Sequence, residues 1–196
     1  MKKILFTFLI AIVLLLTFCY LIFYSYKVSV LVELKQKDDH IKEIWSLLYK
    51  KSSDRLILME KLPNVSGCDI FLINNRIIQN KSERNLNKID ELWNLEYATN
   101  KAYLTLEKCF VEKSSNKTQI DSLNSNAEQL NKLVDEYNAN VKDFNKYYST
   151  FPNFIFGSKK GFRREKFFYL KYGHDNEEYY NQKKKAEKWI ETGKWE

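Results

Sequence analysis

The chain has 196 residues, a net charge of +7, a pI of about 9.1 and only five glycines and two prolines. That length suits one domain plus an anchor. So few turn-formers exclude the many-turned all-β folds, and the positive balance permits anionic lipid or nucleic acid as a partner without requiring either.

The first element is an apolar run. After Lys2 and Lys3, the stretch from Ile4 to Tyr26 carries no charged residue. About twenty such residues, rising 1.5 Å each, cross a hydrocarbon core about 30 Å thick. Tyr20, Tyr24 and Tyr26 sit toward the far end, where amphipathic rings favour the interface. A cleaved signal peptide would be shorter and end in a small-x-small site, which is missing before Ser25 or Ser29. Cys19 follows Phe18, where lipoprotein processing needs a small residue, and the apolar run continues past it. The expectation is an uncleaved, single-pass cell-membrane anchor over residues 1–27 that contacts lipid. Lys2 and Lys3 on one side face Lys27, Lys35, Lys37 and Lys42 on the other, so charge leaves the orientation open.

From Val28 the pattern stays helical through Ile41, Ile44, Trp45, Leu48, Leu58, Met59 and Leu62. This predicts a helix extending about 50 Å beyond the anchor. Pro63 to Ser82 reads as irregular, with Cys68–Ile73 a short strand or a turn of helix that periodicity does not separate. Ser82 reads as an N-cap opening a second helix from Glu83 to Val111, with Leu92, Leu95, Thr99, Ala102, Leu106 and Cys109 on one stripe. The third helix carries the clearest signal. Ile120, Leu123, Ala127, Leu130, Val134, Tyr137, Val141, Phe144, Tyr148 and Phe151 alternate steps of three and four, a coiled-coil-like seam. Pro152 stops it.

Short connections predict an all-α fold in which the anchor continues into a long antiparallel up-down-up bundle over residues 28–172, followed by a charged tail, 173–196, with room for a short helix. In that arrangement Cys68 and Cys109 lie at opposite ends of the second helix, roughly 40 Å apart. A disulfide needs Cα atoms within about 7 Å, so the two are expected not to pair.

The end of the third helix resembles the LemA family of bacterial membrane-associated helical proteins. The residues that carry the resemblance are Tyr137, Asn138, Val141, Phe144, Asn145, Tyr148, Phe151 and Pro152, continuing through Gly161 and Phe162 to Phe167 and Phe168. A weaker match runs through Trp45, Arg55, Leu58, Met59 and Leu62. The chain departs from the family at Tyr49, where an acidic residue is usual, at Met59-Glu60-Lys61, at Ala127 and Val134, and at Gly157, where Ala is usual. The resemblance implies a divergent member, membrane-attached and helical, with no cofactor or reaction. Independently of it, the apolar motif residues read as core. Asn138 and Asn145, seven apart beside the seam, read as amides that bond a neighbouring backbone or helix and fix register.

No catalytic constellation, cofactor site or metal site is read from the chain. His40 lies within a turn of Asp39 and Glu43, but no second cluster faces it, so it reads as a solvated surface. There is no phosphate loop, nucleophile elbow or Cys-x-x-Cys. The Asn-x-Ser/Thr sites at Asn64, Asn80 and Asn116 are expected by chance in an Asn-rich chain.

One segment mixes charge with rings. Lys159, Lys160, Arg163, Arg164, Lys166 and Lys171 are opposed only by Glu165 and interleaved with Phe162, Phe167, Phe168 and Tyr169. Such mixtures bind anionic membranes or single-stranded nucleic acid. In an up-down-up bundle the segment would begin about 50 Å from the membrane. Packing onto the bundle is therefore favoured over lipid or partner contact, and nucleic acid is the weakest partner. The function expected is a non-enzymatic membrane-anchored scaffold or interaction module for an unknown protein partner. The alternatives are an adaptor of a membrane enzyme or transporter, or an enzyme with an unrecognised site; homo-oligomerisation stays open.

Overall fold

A computed structural model describes residues 2–113 and 117–192, with the side chains of residues 2–5, 7 and 186–192 excepted. Asn116 and the side chains of Lys2 and Lys3 thus lie outside the described part. The elements are α1 (Lys2–Glu60), α2 (Ile70–Glu83), α3 (Ile89–Glu112), α4 (Lys117–Ser149), α5 (Asn153–Lys159) and α6 (Glu177–Thr192). Among the described residues there is no strand.

α1 is one unbroken helix of 59 residues. Every described side chain of its apolar part from Phe6 to Tyr26 is exposed, and it is long and apolar enough to cross a membrane. The burial pattern changes at Val30 and Leu34, which are fully enclosed.

Only residues 63–69 of the segment read as irregular are so; from Ile70 it is a helix. Asp69 caps α2 by accepting hydrogen bonds from the Phe71 and Leu72 amides, at 3.0 and 3.4 Å. Ile70, Ile73, Ile77 and Asn80 then form its buried face in steps of three and four. Ser82 lies inside this helix and returns its hydroxyl to the Gln79 carbonyl, so it is no N-cap. The next helix begins only at Ile89.

This extra helix changes the path of the chain. Trp45 donates to the Leu86 carbonyl and Arg84 to the Tyr49 carbonyl, so α2 descends along α1. α3 pairs closely with α2 and ascends. Arg55 meets Leu123, and Trp45 meets Tyr137 at 5.2 Å between rings, so α4 runs antiparallel to α1. An up-down-up path made α4 parallel; the short descending α2 reverses it. The same helix corrects the thiols. Cys68 precedes α2 at the end where α3 finishes, and Cys68 and Cys109 form a disulfide with Cα atoms 5.9 Å apart.

The chain divides into two compact units, Met1–Ile41 with Asn140–Glu165, and Lys42–Ala139 with Lys166–Glu196. In the second, Leu56, Met59, Ile73, Ile77, Tyr103, Leu106, Phe110 and Leu123 belong to one core cluster. In the first, Val30, Leu34, Val141, Phe144 and Phe156 are buried. The seam read from α4 is enclosed from Ile120 to Phe144, whereas Tyr148 is half-buried and Phe151 is 75% exposed. Phe151 was expected in the core. α4 ends at Ser149, so position 151 has left the helical phase on which that expectation rested.

Candidate functional site

The polar features of the second unit centre on residues 166–173, which form no helix or strand. A segment without regular structure must still satisfy its buried amides and carbonyls. Here asparagine side chains do it. The Phe168 amide donates to Asn138 Oδ1 and its carbonyl accepts from Asn138 Nδ2, both at 2.9 Å. One helical heptad earlier, Asn131 pairs the same way with Tyr172, at 2.8 and 3.0 Å. Asn100 of α3 accepts from the Gly173 amide and donates to the His174 carbonyl, both at 2.9 Å. A carboxamide offers one acceptor and two donors side by side, so it substitutes for a neighbouring peptide group. Seven helical residues rise about 10 Å and four extended residues about 13 Å, so helix and segment keep nearly in step. Gly173 turns the chain at φ +73°, a conformation that suits glycine. Tyr137 and Trp93 add hydrogen bonds to the Lys166 and Tyr169 carbonyls, at 2.8 and 3.0 Å.

Beneath this ladder lies a buried ionic chamber. Arg84 Nη2 stands 3.3 Å from Glu96 Oε1, with both side chains enclosed, and also donates to Ser52 Oγ at 2.7 Å. Asn80 donates to Thr99 at 3.0 Å and to Glu96 at 3.4 Å. Arg55 donates to the Leu123 carbonyl at 2.6 Å and stacks 4.9 Å from the Tyr103 ring centre. Burial pushes the Glu96 carboxyl up against the pull of Arg84, lowers Arg55, and drives the Tyr172 hydroxyl well above its usual range. The arrangement holds α1, α2, α3 and α4 in register. Removing one charge would strand the others.

An open cleft of about 540 Å³ lies beside the ladder, lined by Asn131, Asp135, Asn138, Tyr169, Asp175 and Glu178. Among the described residues, no group of three or more His, Cys, Asp or Glu side chains is placed to hold a metal ion.

The first unit repeats the ladder once and adds a different surface. Asn145 pairs with both the amide and the carbonyl of Glu165, at 2.8 and 2.9 Å. α5 lies against the end of the apolar part of α1. Tyr26 donates to Asn153 Oδ1 at 3.1 Å, and Phe156 meets Phe23 and Tyr26 edge-on at 5.4 and 6.3 Å between ring centres. Gly157 approaches Leu34 and Tyr148 so closely that a Cβ would stand 3.0 and 2.9 Å from them. The aromatic-basic segment therefore starts beside α1's apolar end, not about 50 Å from it. The antiparallel course of α4 is the reason.

The six basic residues separate. Lys159, Lys160, Arg163 and Arg164 are exposed in the first unit, and Arg164 donates to Ser149 Oγ at 3.1 Å. Lys166, in the second, pairs with Asp90 at 2.5 Å, and Lys171 is exposed there. The rings separate too. Phe168 is buried against Trp45, Phe162 packs toward Phe144, and Phe167 stacks half-open on Tyr169. Gly161, at φ +87°, closes α5, and the Phe162 amide then reaches back to the Gly157 carbonyl.

Sequence reading missed Asn100 and Asn131, and the chamber. Asn131 had a visible signal, since it precedes Asn138 by the interval that separates Asn138 from Asn145. No family model, curated relative or solved structure matches the chain.

Proposed function

We propose that this protein is a single-pass, membrane-anchored helical scaffold, a divergent relative of LemA, whose bundle stands on the oxidising face of the membrane and meets a partner protein. The observation that carries the reading is the continuity of α1. One helix holds a lipid-compatible part, exposed from Phe6 to Tyr26, and a part from Val30 onward whose inner face is buried. Thr17, in the middle of the apolar part, donates to the Val13 carbonyl at 2.6 Å, a bond internal to the helix, as hydrocarbon demands.

The choice of face rests on the Cys68–Cys109 disulfide. Such bonds persist in oxidising compartments and are rare in reducing ones. Lys2 and Lys3 then remain with the amino terminus on the cytoplasmic side, and Lys27, Lys35, Lys37 and Lys42 stand on the other. What remains for recognition is the exposed surface of the helices, which the asparagine pairs and the ionic chamber tie together. No reaction is assigned to it.

The test is carried out on intact cells or spheroplasts. External protease should remove the bundle while alkaline washing leaves the anchor in the membrane. Thiol labelling after denaturation without reductant should modify Cys19 alone. A protected bundle, or reactive thiols at positions 68 and 109, refutes the proposed face. Release by alkali refutes the anchor.

A further inference from the structure

We infer that α5 and the turn that follows it form a foot that docks on the anionic headgroups of the same bilayer that holds α1. This rests on the anchor reading above and adds a second lipid contact to it.

Counted from Ile4, twenty residues of helix span about 30 Å, so the hydrocarbon edge falls near Phe23. α5 is pinned at that level. Phe156 packs on Phe23 and Tyr26, and Asn153 ties the Tyr26 hydroxyl to the Tyr147 carbonyl. Gly157 touches Leu34, which is eight residues or about 12 Å of helix beyond Tyr26. The foot is thus fixed in the layer where headgroups lie.

Its outward chemistry suits that layer. Phe151 is 75% exposed and Phe154 is 44% exposed, their rings 6.4 Å apart. Neither fills a core, and they flank Asn153 and Phe156, the residues that hold α5 to α1. Lys159, Lys160, Arg163 and Arg164 follow, all exposed, and among the described residues no carboxylate pairs with them. Of the carboxylates in this unit, Asp143 and Glu33 pair with Lys37 and Asp39 with Lys35, and Glu165 follows Arg164 in the chain. Exposed rings beside unpaired cations bind a membrane by shallow insertion plus attraction to anionic lipid. Attraction acts within about a Debye length, some 8 Å at physiological salt. A protein partner could use the same groups, but the bilayer already occupies this position next to α1.

The experiment uses the full chain with Cys19→Ser and Ser158→Cys, labelled at position 158 with a polarity-sensitive dye. The sample is placed in nanodiscs of phosphatidylcholine alone or with phosphatidylglycerol. Discs containing phosphatidylglycerol should blue-shift the dye and cut its access to an aqueous quencher by about threefold. Replacing Lys159, Lys160, Arg163 and Arg164 with glutamine, or Phe151 and Phe154 with serine, should abolish both changes. Should either variant lose helicity, high salt on the parent protein supplies the same reversal. A dye equally exposed in both lipids overturns the docking, and equal burial in both overturns the role of anionic lipid. Alkaline extraction of the same samples separates the readings: release sinks the anchor, while retention with an exposed dye sinks the foot alone.

Discussion

Asn138 and its neighbours in the ladder show how much a single side chain type can decide. A segment of backbone lies on a helix with no sheet to pair with, and carboxamides supply what a neighbouring strand would. The Phe168 amide has Asn138 as its acceptor, so Asn138→Ala should strip its protection from hydrogen exchange while Tyr172, held by Asn131, keeps its own. Asn138→Asp should do more damage, because a carboxylate cannot donate to the Phe168 carbonyl. Each lost pair is expected to cost about 1–3 kcal/mol, readable by thermal unfolding in detergent. Equal protection of Phe168 in the parent and in the alanine variant would contradict the ladder. Asn138 and Asn145 stood out in the sequence because they flank an apolar seam at a heptad interval. The chamber did not. Arg84 lies in a polar stretch, and Glu96 occupies a core position between Leu92 and Thr99 on α3, where a charge reads as surface. Only the approach of a third helix makes that position a buried one.

At the level of elements, the long helices were legible and the short ones were not. α1, α3 and α4 each repeat an apolar stripe over many turns, so a few polar intrusions do not hide them. α2 shows only Ile70, Ile73 and Ile77, and its cap Asp69 follows the turn residues Ser66 and Gly67, which draw the eye to a loop. Missing it inverted the direction of everything downstream. α6 is held differently. Tyr180 stacks on Tyr97 at 4.4 Å, Glu177 accepts from Tyr97 at 2.6 Å and pairs with Lys101, and Lys183 lies 4.3 Å over the Trp93 ring. The ammonium of Lys101 keeps the Glu177 carboxyl below its usual range, and Lys166 does the same for Asp90. A depressed carboxyl contributes stability above its unfolded value, about 4, and loses that contribution as pH falls through its folded value. The docking of α6 and of Lys166 should therefore hold from pH 7 to about 5 and loosen below about 4. Hydrogen exchange at residues 177–185 reads this directly. Loosening that began on raising the pH from 7 to 9 would contradict the assignment. Burial, with the Glu177 carboxylate, raises Tyr97 to about 12, so its hydroxyl stays a donor throughout that range.

For the molecule as a whole, the Cys68–Cys109 disulfide overturns the expectation that the two thiols stay apart. It joins residues 41 apart and ties the start of α2 to the end of α3. Replacing Cys68 and Cys109 with serine should lower stability by about 2–4 kcal/mol, with the helical content retained below the transition. Reductant should mimic this in the parent protein and do nothing further in the variant. An unchanged melting temperature in both would argue that the thiols are not linked. The all-helical class and the apolar stem were visible from turn scarcity and from one uncharged run. The chain path was not, because direction depends on counting every reversal.

The unbroken course of α1 has a mechanical corollary. Within the first unit α1 runs without a break to Ile41 and behaves as a lever: tipping its lower part by about 10° carries the Ile41 tip, some 22 Å past Tyr26, sideways by about 4 Å. Helices tilt when the surrounding hydrocarbon thins. Bilayer thickness would then be transcribed, with gain, into the lateral position of that tip.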